Sequence, residues 1–318
     1  MIRTVVILVN YYGAKDTEKC VKSLLNTSIP PKIVIVDNAS REAGLEIIEK
    51  IYPEITILYS RENLGFGRGN NLGIKWALNN TQCEFVFILN NDTIVESNTI
   101  QKLEQAMDEH PEAGITAPRI VLAEDPSKLW YGGGDVDWKR GRAQIPGYMA
   151  DSESSSAMTE RYVAFASGCA LFVRRMVIEQ IGGFDKRYFM YEEDLELCLR
   201  AASNDFSIWY QPNALVRHQG QGSQKWSEEF ITIQSHKNPN LPFFMFHITK
   251  NKLLTMSLHA KGWNSVKFWF VFPIFWVMKS LKFMFHGRFD ASLAMFRGVK
   301  QYFLDSKVAE KKNDLCCR

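Results

Sequence analysis

Val5-Val6-Ile7-Leu8-Val9-Asn10-Tyr11-Tyr12 is a run of apolar, mostly β-branched residues that ends abruptly in an amide and two tyrosines. Apolar residues in succession, rather than in alternation, mark a strand buried on both faces. The pattern recurs at Ile33 to Val36, Ile55 to Leu58 and Phe85 to Leu89. Between these runs, Asp16 to Asn26, Glu42 to Ile51 and Asn70 to Leu78 carry apolar residues three and four apart, the spacing of helices with one buried face. Strands and helices in alternation predict a parallel α/β sheet over about the first 120 residues, and such sheets bind ligands beyond the carboxyl ends of their strands.

The residues that follow each apolar run are the place to look for chemistry. Asn10-Tyr11-Tyr12 follows the first run, Asp37-Asn38-Ala39-Ser40 the second, Asn63 to Asn71 the third and Asn90-Asn91-Asp92 the fourth. Any one of these could be a turn or a helix cap. Four in register predict a shared ligand site. Gly65-Phe66-Gly67-Arg68-Gly69 differs from the dinucleotide fingerprint both in spacing and in the strand it follows. It reads as a glycine loop that lets backbone approach a ligand, with Arg68 at the helix start available to a phosphate.

Beyond Trp130 the chain reads as loop-rich and antiparallel, with a serine-rich surface loop at 152–156 and strands at Arg161 to Phe165 and Cys169 to Val173. Tyr191-Glu192-Glu193-Asp194 opens a helix whose inner stripe is Leu195, Cys198 and Leu199. Acids in a first turn can serve only the helix dipole. A strand pair, Phe206 to Tyr210 and Ala214 to Arg217, leads to His218-Gln-Gly-Gln-Gly-Ser223, which has the look of a loop closing on a ligand.

Taken in order, the segments around Asn10, Asp37-Asn38-Ala39-Ser40, Asn63 to Ile74, Asn90-Asn91-Asp92, Ala166 to Ala170, Gly183-Phe184-Asp185, Phe189 to Arg200 and His218 to Ser223 resemble glycosyltransferase family 2, in particular its bacterial rhamnosyltransferase-like branch. The resemblance runs over about residues 3–225. It implies a nucleotide-binding α/β sheet of the GT-A type with helices on both faces, a nucleoside-diphosphate sugar donor, Mg²⁺ or Mn²⁺, and inversion at the anomeric carbon. On the matching positions it implies that Asn10, Asp37, Asn38, Asn63, Gly67, Arg68, Asn70 and Asn91 bind the donor. Asp92 would hold the metal, with His218 as its second ligand or as a contact to the diphosphate, and Asp194, beside Glu193, would be the general base. Two departures stand out: Asn90 replaces the first carboxylate of the family's Asp-x-Asp motif, and Glu192 stands where relatives more often carry an aromatic residue. A metal-dependent nucleotidyltransferase and a non-catalytic, membrane-associated module are the rival readings.

Charge divides the chain of 318 residues unevenly. Its net +3 combines +9 over residues 241–318, where 13 Lys/Arg face 4 Asp/Glu, with −6 over the remainder. The same basic stretch is rich in Phe and Trp, and Phe268 to Met278 is an unbroken apolar run interrupted in its geometry by Pro273. An acidic body is a poor match for nucleic acid, whereas a basic, aromatic segment suits an anionic membrane surface. The expected organisation is a glycosyltransferase domain over 1–240, with a nucleotide half to about 120 and an acceptor half beyond it. A helical, membrane-associating region over 241–318 follows. The six cysteines form no metal-ligand pattern and the first residues form a strand rather than a signal peptide, which predicts a cytoplasmic protein on the inner face of the membrane, acting on a glycan or lipid-linked glycan acceptor.

Overall fold

The computed structural model describes residues 2–40, 44–219 and 234–316, with side chains described up to residue 306. The described elements fall into two compact units. One comprises 1–136, 143–189 and 193–225; the other comprises 137–142, 190–192 and 226–318.

In the first unit the apolar runs become β1 (Thr4–Asn10), β2 (Lys32–Asp37), β3 (Thr56–Tyr59) and β4 (Phe85–Asn90), separated by α1 (Ala14–Leu25), α2 (Leu45–Ile51) and α3 (Gly65–Asn80). β5 (Thr93–Val95), α4 (Thr99–Glu109), β6 (Ala113–Leu122) and β7 (Leu129–Tyr131) follow. After β8 (Asp135–Asp137) and β9 (Arg142–Gln144) come β10 (Arg161–Val163), β11 (Ala170–Arg174), α5 (Arg175–Ile181), α6 (Glu193–Ala202) and β12 (Ser207–His218). A mixed sheet of ten strands runs β10-β12-β6-β11-β4-β1-β2-β3, with β5 on β12 and β7 on β6. β3, β2, β1 and β4 are mutually parallel, as expected of the first 120 residues. β11 is antiparallel to both β4 and β6 and so joins the two halves of the sheet. The centre is dry: Val5, Val6, Ile7, Leu8, Val34, Ile35, Val86, Phe87 and Ile88 have no exposed surface.

Three local expectations are corrected. The glycine run is not a loop before a helix but the first turns of α3 itself, because this helix lies too close to its neighbours to carry side chains on one face. A Cβ on Gly73 would sit 2.5 Å from Ile7 Cγ2 and one on Gly69 3.1 Å from Val9 Cγ1, while Gly65, left-handed at φ 76°, would run into the Phe189 carbonyl. Phe206 to Arg217 is not a strand pair: β12 is one strand, parallel to β6 throughout, with a break in register between Gln211 and Leu215. Pro212, which cannot donate to a ladder, sits in that break. The serine-rich stretch is only partly surface loop, since Ser152 is buried, donates to the Pro126 carbonyl at 2.8 Å and accepts Arg119 at 2.7 Å.

The second unit is helical: α7 (Leu241–His259), α8 (Gly262–Phe285) and α9 (Phe289–Cys316). Leu241, Phe244, Met245, Phe283, Ala291 and Met295 form its core, with Tyr191 packed on it. Pro273 does not interrupt α8, which runs unbroken for 24 residues. Its length and apolar composition suffice to cross a bilayer, and only 17% of its most apolar window is buried. Trp263, Phe270, Met278 and Phe285 are more than half exposed.

Candidate active site

The strand ends carry the polar residues, and the register sets them side by side. Asn10 closes β1 opposite Asp37 of β2, and Asn90 closes β4 next to Val9 of β1. Asn10 is fully buried; its amide donates to Ser40 Oγ at 3.2 Å and its oxygen accepts Thr17 Oγ1 at 2.9 Å. Ser40 donates through both hydroxyl and backbone to the Asp37 carboxylate. Asn91 donates to Thr17 Oγ1 at 2.9 Å, so one network ties together the ends of β1, β2 and β4. Asp37, buried at the end of β2, is left with its carboxylate oriented by Asn10 and Ser40. A carboxylate held this way suits a base N–H or a ribose hydroxyl.

A second network supports the start of α3. Asn38 donates to Asn63 Oδ1 at 3.0 Å and to the Gly65 carbonyl at 3.1 Å, and accepts the Leu64 N–H at 2.8 Å. Gly67 packs beneath Phe184, where a Cβ would come within 2.9 Å of the Phe184 Cβ. Asn70 is buried and donates to the Phe66 carbonyl at 3.0 Å, while its own Oδ1 has no partner among the described residues. Arg68 is apart from these networks, half-exposed and 3.4 Å from Glu62.

A third cluster joins the ends of β4 and β12. His218 Nε2 lies 3.2 Å from Asp92 Oδ1 and 3.4 Å from the Asn90 amide nitrogen, and the Trp130 ring meets the imidazole edge-on at 4.7 Å. Burial works against charge on His218, yet the Cys169 sulfur and the Asp92 carboxylate together hold its pKa well above the ordinary value. Burial also pushes the Cys169 thiol up, so Asp92 is the anion that matters at neutral pH. Ligands in adjacent positions on an octahedral ion lie about 3 Å apart when each is about 2.1 Å from the metal. The 3.2 Å Asp92–His218 contact is an ion pair rather than a pair of metal ligands, because an imidazole held protonated has no lone pair at Nε2 to give a metal. His218 Nδ1 is buried with no partner among the described residues. No third His, Cys, Asp or Glu among those residues completes a metal cluster. Asp92 and, once it loses its proton, His218 are the side chains at these strand ends that could hold a Mg²⁺ or Mn²⁺. The Gly220 to Ser223 part of the expected closing loop lies outside the described residues.

The fourth element is the acid pair at the start of α6. Asp194 Oδ2 accepts the Gly168 N–H at 3.0 Å and Oδ1 accepts the Leu195 N–H at 2.8 Å. Burial drives the Asp194 carboxyl above the usual carboxylate range, and those two N–H groups only partly offset it. Glu193 is buried beside it. The expected stripe is in place, with Leu195, Cys198 and Leu199 buried, and Cys198 Sγ bridges to the Ala166 backbone, just before the turn that presents Gly168. Arg200 binds Glu196 at 2.8 Å and the Gly183 carbonyl at 2.8 Å, which ties the Gly183-Phe184-Asp185 segment to the same helix. Asn71 closes the other side, exchanging two hydrogen bonds with the Phe184 backbone.

Thr17, Trp130 and Gly168 belong to this site by contact; only Gly168 lies in a segment that the resemblance covers, and no spacing in the sequence distinguishes the other two. Thr17 is an ordinary inner-face helix residue, Trp130 lies in a loop-rich stretch, and Gly168 acts through its backbone.

Comparison with known proteins bears on the family and the fold. N-acetylglucosaminyl-diphospho-decaprenol L-rhamnosyltransferase of Mycobacterium tuberculosis is 29% identical over 234 residues, covering 67% of this chain and 75% of its own. The low-salt glycan biosynthesis hexosyltransferase Agl10 of Haloferax volcanii is 23% identical over 286 residues, 89% and 90% of the two chains. Among solved structures, mannosyltransferase PcManGT of Pyrobaculum calidifontis, in complex with GDP-Man and Mn²⁺, superposes with a TM-score of 0.57 at 12% identity, covering 95% of this chain and 87% of that one. The mixed sheet with flanking helices is thus the GT-A type of architecture. The family model described as glycosyltransferase-like family 2 matches residues 3–234, and with the polar strand ends and the acid pair in place, the chain belongs to that family of glycosyltransferases.

Proposed function

We propose that the protein transfers a hexose, and specifically a deoxyhexose such as rhamnose, from a nucleoside diphosphate to a glycan acceptor on a lipid carrier, with inversion, in cell-surface polysaccharide synthesis. The observation that carries the reading is Asp194, a carboxylate oriented by two N–H groups and with its proton affinity raised by burial. An inverting displacement needs a base on the face opposite the leaving group. Asp194 takes the proton of the acceptor hydroxyl as that oxygen bonds to the anomeric carbon. The bond from that carbon to the diphosphate breaks, and the electron pair leaves with the nucleoside diphosphate. Asp37, braced by Asn10 and Ser40, would hold the nucleoside, with Asn38, Asn63, Gly67, Asn70 and Arg68 around the ribose and diphosphate and Asn91 as a brace. A divalent cation between Asp92 and His218 would neutralise charge developing on the leaving group.

The choice of donor and acceptor is supported by the name of the mycobacterial relative, a rhamnosyltransferase acting on a decaprenol-linked sugar. Attachment to the cytoplasmic face of a membrane is supported by the exposed apolar face of α8 and by the exposed cations Lys261, Lys267, Arg297 and Lys300 around it.

Asp194→Asn is expected to lower transfer by about 10³-fold or more with nucleoside-diphosphate affinity within twofold, since one group of the displacement is lost and the donor site is not. Asp92→Ala should instead weaken nucleoside-diphosphate binding in Mn²⁺ and leave the metal-free affinity unchanged by calorimetry. Full turnover by the Asp194 variant would remove that residue from its role, and release of pyrophosphate from a nucleoside triphosphate would favour nucleotidyl transfer instead.

A further inference from the structure

Tyr131-Gly132-Gly133-Gly134, at the end of β7, carries none of the donor-binding or catalytic residues named above. Its three glycines follow from crowding: a Cβ on Gly132 would fall 2.6 Å from Leu129 Cδ2, one on Gly134 2.6 Å from Phe165 Cδ1, and Gly133 is left-handed at φ 90°. Tyr131 is fully buried and donates to the Phe165 carbonyl at 2.6 Å. The Gly134 carbonyl accepts the N–H groups of Ala164 at 2.9 Å and Phe165 at 3.0 Å. β7 is therefore clamped to the segment that continues through Ala166 to Gly168, the residue whose N–H orients Asp194.

Within this clamped strand Trp130 stands apart. Leu129 and Tyr131 pair with consecutive residues of β6, Val121 and Ile120, so Trp130 is the extra residue of a β-bulge. Its neighbours are buried, at 1% and 0% exposed, while Trp130 keeps part of its surface open. Bulges beside active sites re-aim a side chain, and this one sets the indole against His218, edge-on at 4.7 Å and 82°. The proposed donor residues lie on β1 to β4 and α3, in the nucleotide half. Trp130 belongs to the other half and still reaches the Asp92–His218 pair, on the side from which an acceptor has to approach Asp194. A hexose offers one face of C–H bonds and a rim of hydroxyls. An indole covers such a face with a large, rigid surface and leaves the hydroxyls to polar neighbours.

We propose that the Trp130 indole is the platform on which the acceptor's sugar lies, fixing which hydroxyl is offered to Asp194. This rests on the transfer reading and adds a specificity-determining residue to it: the acceptor is selected by its sugar, at β7, and not only by what carries that sugar. The clamp supplies the rigidity a platform needs, since a side chain that must order on binding loses part of the interaction to lost rotamer freedom. A Trp130 that served only to hold His218 would act on the diphosphate end of the donor instead, and the two roles separate by experiment.

The test measures transfer by the full-length protein from dTDP-rhamnose to N-acetylglucosaminyl diphosphoryl farnesol, varying the acceptor, with dTDP affinity in Mn²⁺ measured by calorimetry on the same samples. Trp130→Ala is expected to lower kcat/KM for the acceptor at least about tenfold, mainly through KM, with dTDP affinity within twofold. Trp130→Phe should recover most of that loss. Farnesyl diphosphate, which lacks the sugar, should inhibit native protein and variants alike. Trp130→Leu keeps apolar bulk at the bulge without a flat ring and should behave as the alanine variant does, so the assignment is tested even where that variant does not fold. Unchanged acceptor KM in the leucine variant, a loss of dTDP affinity that parallels the loss of transfer, or weaker inhibition of the variants by farnesyl diphosphate would overturn the assignment. No transfer by the native protein, with dTDP still bound, would instead overturn the choice of donor and acceptor, and the platform with it.

Discussion

Asp194 is held in a state that a stability-optimised protein would avoid. An acid whose folded pKa is raised favours its protonated form in the native state, so its ionisation weakens the fold as pH rises through the folded value. Asp194→Asn removes that ionisation while keeping an oxygen for the Gly168 N–H. Its melting temperature at neutral pH should therefore exceed the parent's, by roughly 2 °C for each kcal/mol relieved, and the difference should vanish in acid. In the parent, kcat should fall as pH drops through a value above the ordinary carboxylate pKa of about 4. A melting temperature that falls on substitution would mean the carboxylate is structural. The importance of this residue was legible only in part: three acids in a first turn mark a helix start equally well, and the Gly168 N–H that orients Asp194 is backbone and leaves no trace in residue type. Asp37 and Asp92 were easier to find because both lie immediately after apolar runs.

At the scale of elements, α3 and the peptide before α6 are the sensitive places. Gly65 combines a left-handed backbone with direct contact to the Phe189 carbonyl. Gly65→Ala should lower stability by roughly 2–4 kcal/mol, read by denaturant melting, since strain and overpacking act together. Tyr191 and Glu192 are left-handed too, at φ 70° and 71°, which is uncommon for residues with a Cβ. Asn251 of α7 pins this strained peptide, donating to the carbonyls of Met190 at 2.9 Å and Tyr191 at 2.8 Å. Asn251→Leu should lower kcat about tenfold with donor KM within twofold, because the residues running into Glu193-Asp194 lose their anchor; kcat unchanged in a folded variant would show that the anchor is dispensable. The strands of the first half were legible because a buried parallel strand has a distinctive composition. The pairing of β12 was not, since a single bulged strand and a hairpin share the same apolar runs and the same Pro212 between them. The glycines of α3 misled for a related reason, as a helix packed this closely on a sheet sheds its side chains and then looks like a loop.

For the whole molecule, the uneven charge separates into two uses. Several acids of the body sit at the candidate active site, and on the proposed reading the exposed cations of the helical unit would face an anionic surface. Each such cation contributes about 1 kcal/mol of membrane attraction at low salt. Lys261→Glu, Lys267→Glu and Arg297→Glu combined should lower partition to phosphatidylglycerol vesicles by roughly a hundredfold, and raising ionic strength should mimic the effect; partition indifferent to both would assign adsorption to the apolar face of α8 alone. The antiparallel insertion of β11 carries a consequence of another kind, for biogenesis. β6 ends at Leu122, but its neighbours β11 and β12 begin only at Ala170 and Ser207. As the chain leaves the ribosome, β1, β2, β3 and β4 can assemble in the order in which they appear, while β6 waits with both edges largely open. Until the last strand emerges, the growing chain carries an apolar template for pairing with other chains, and protecting that interval falls to the speed of synthesis and to chaperones rather than to the fold.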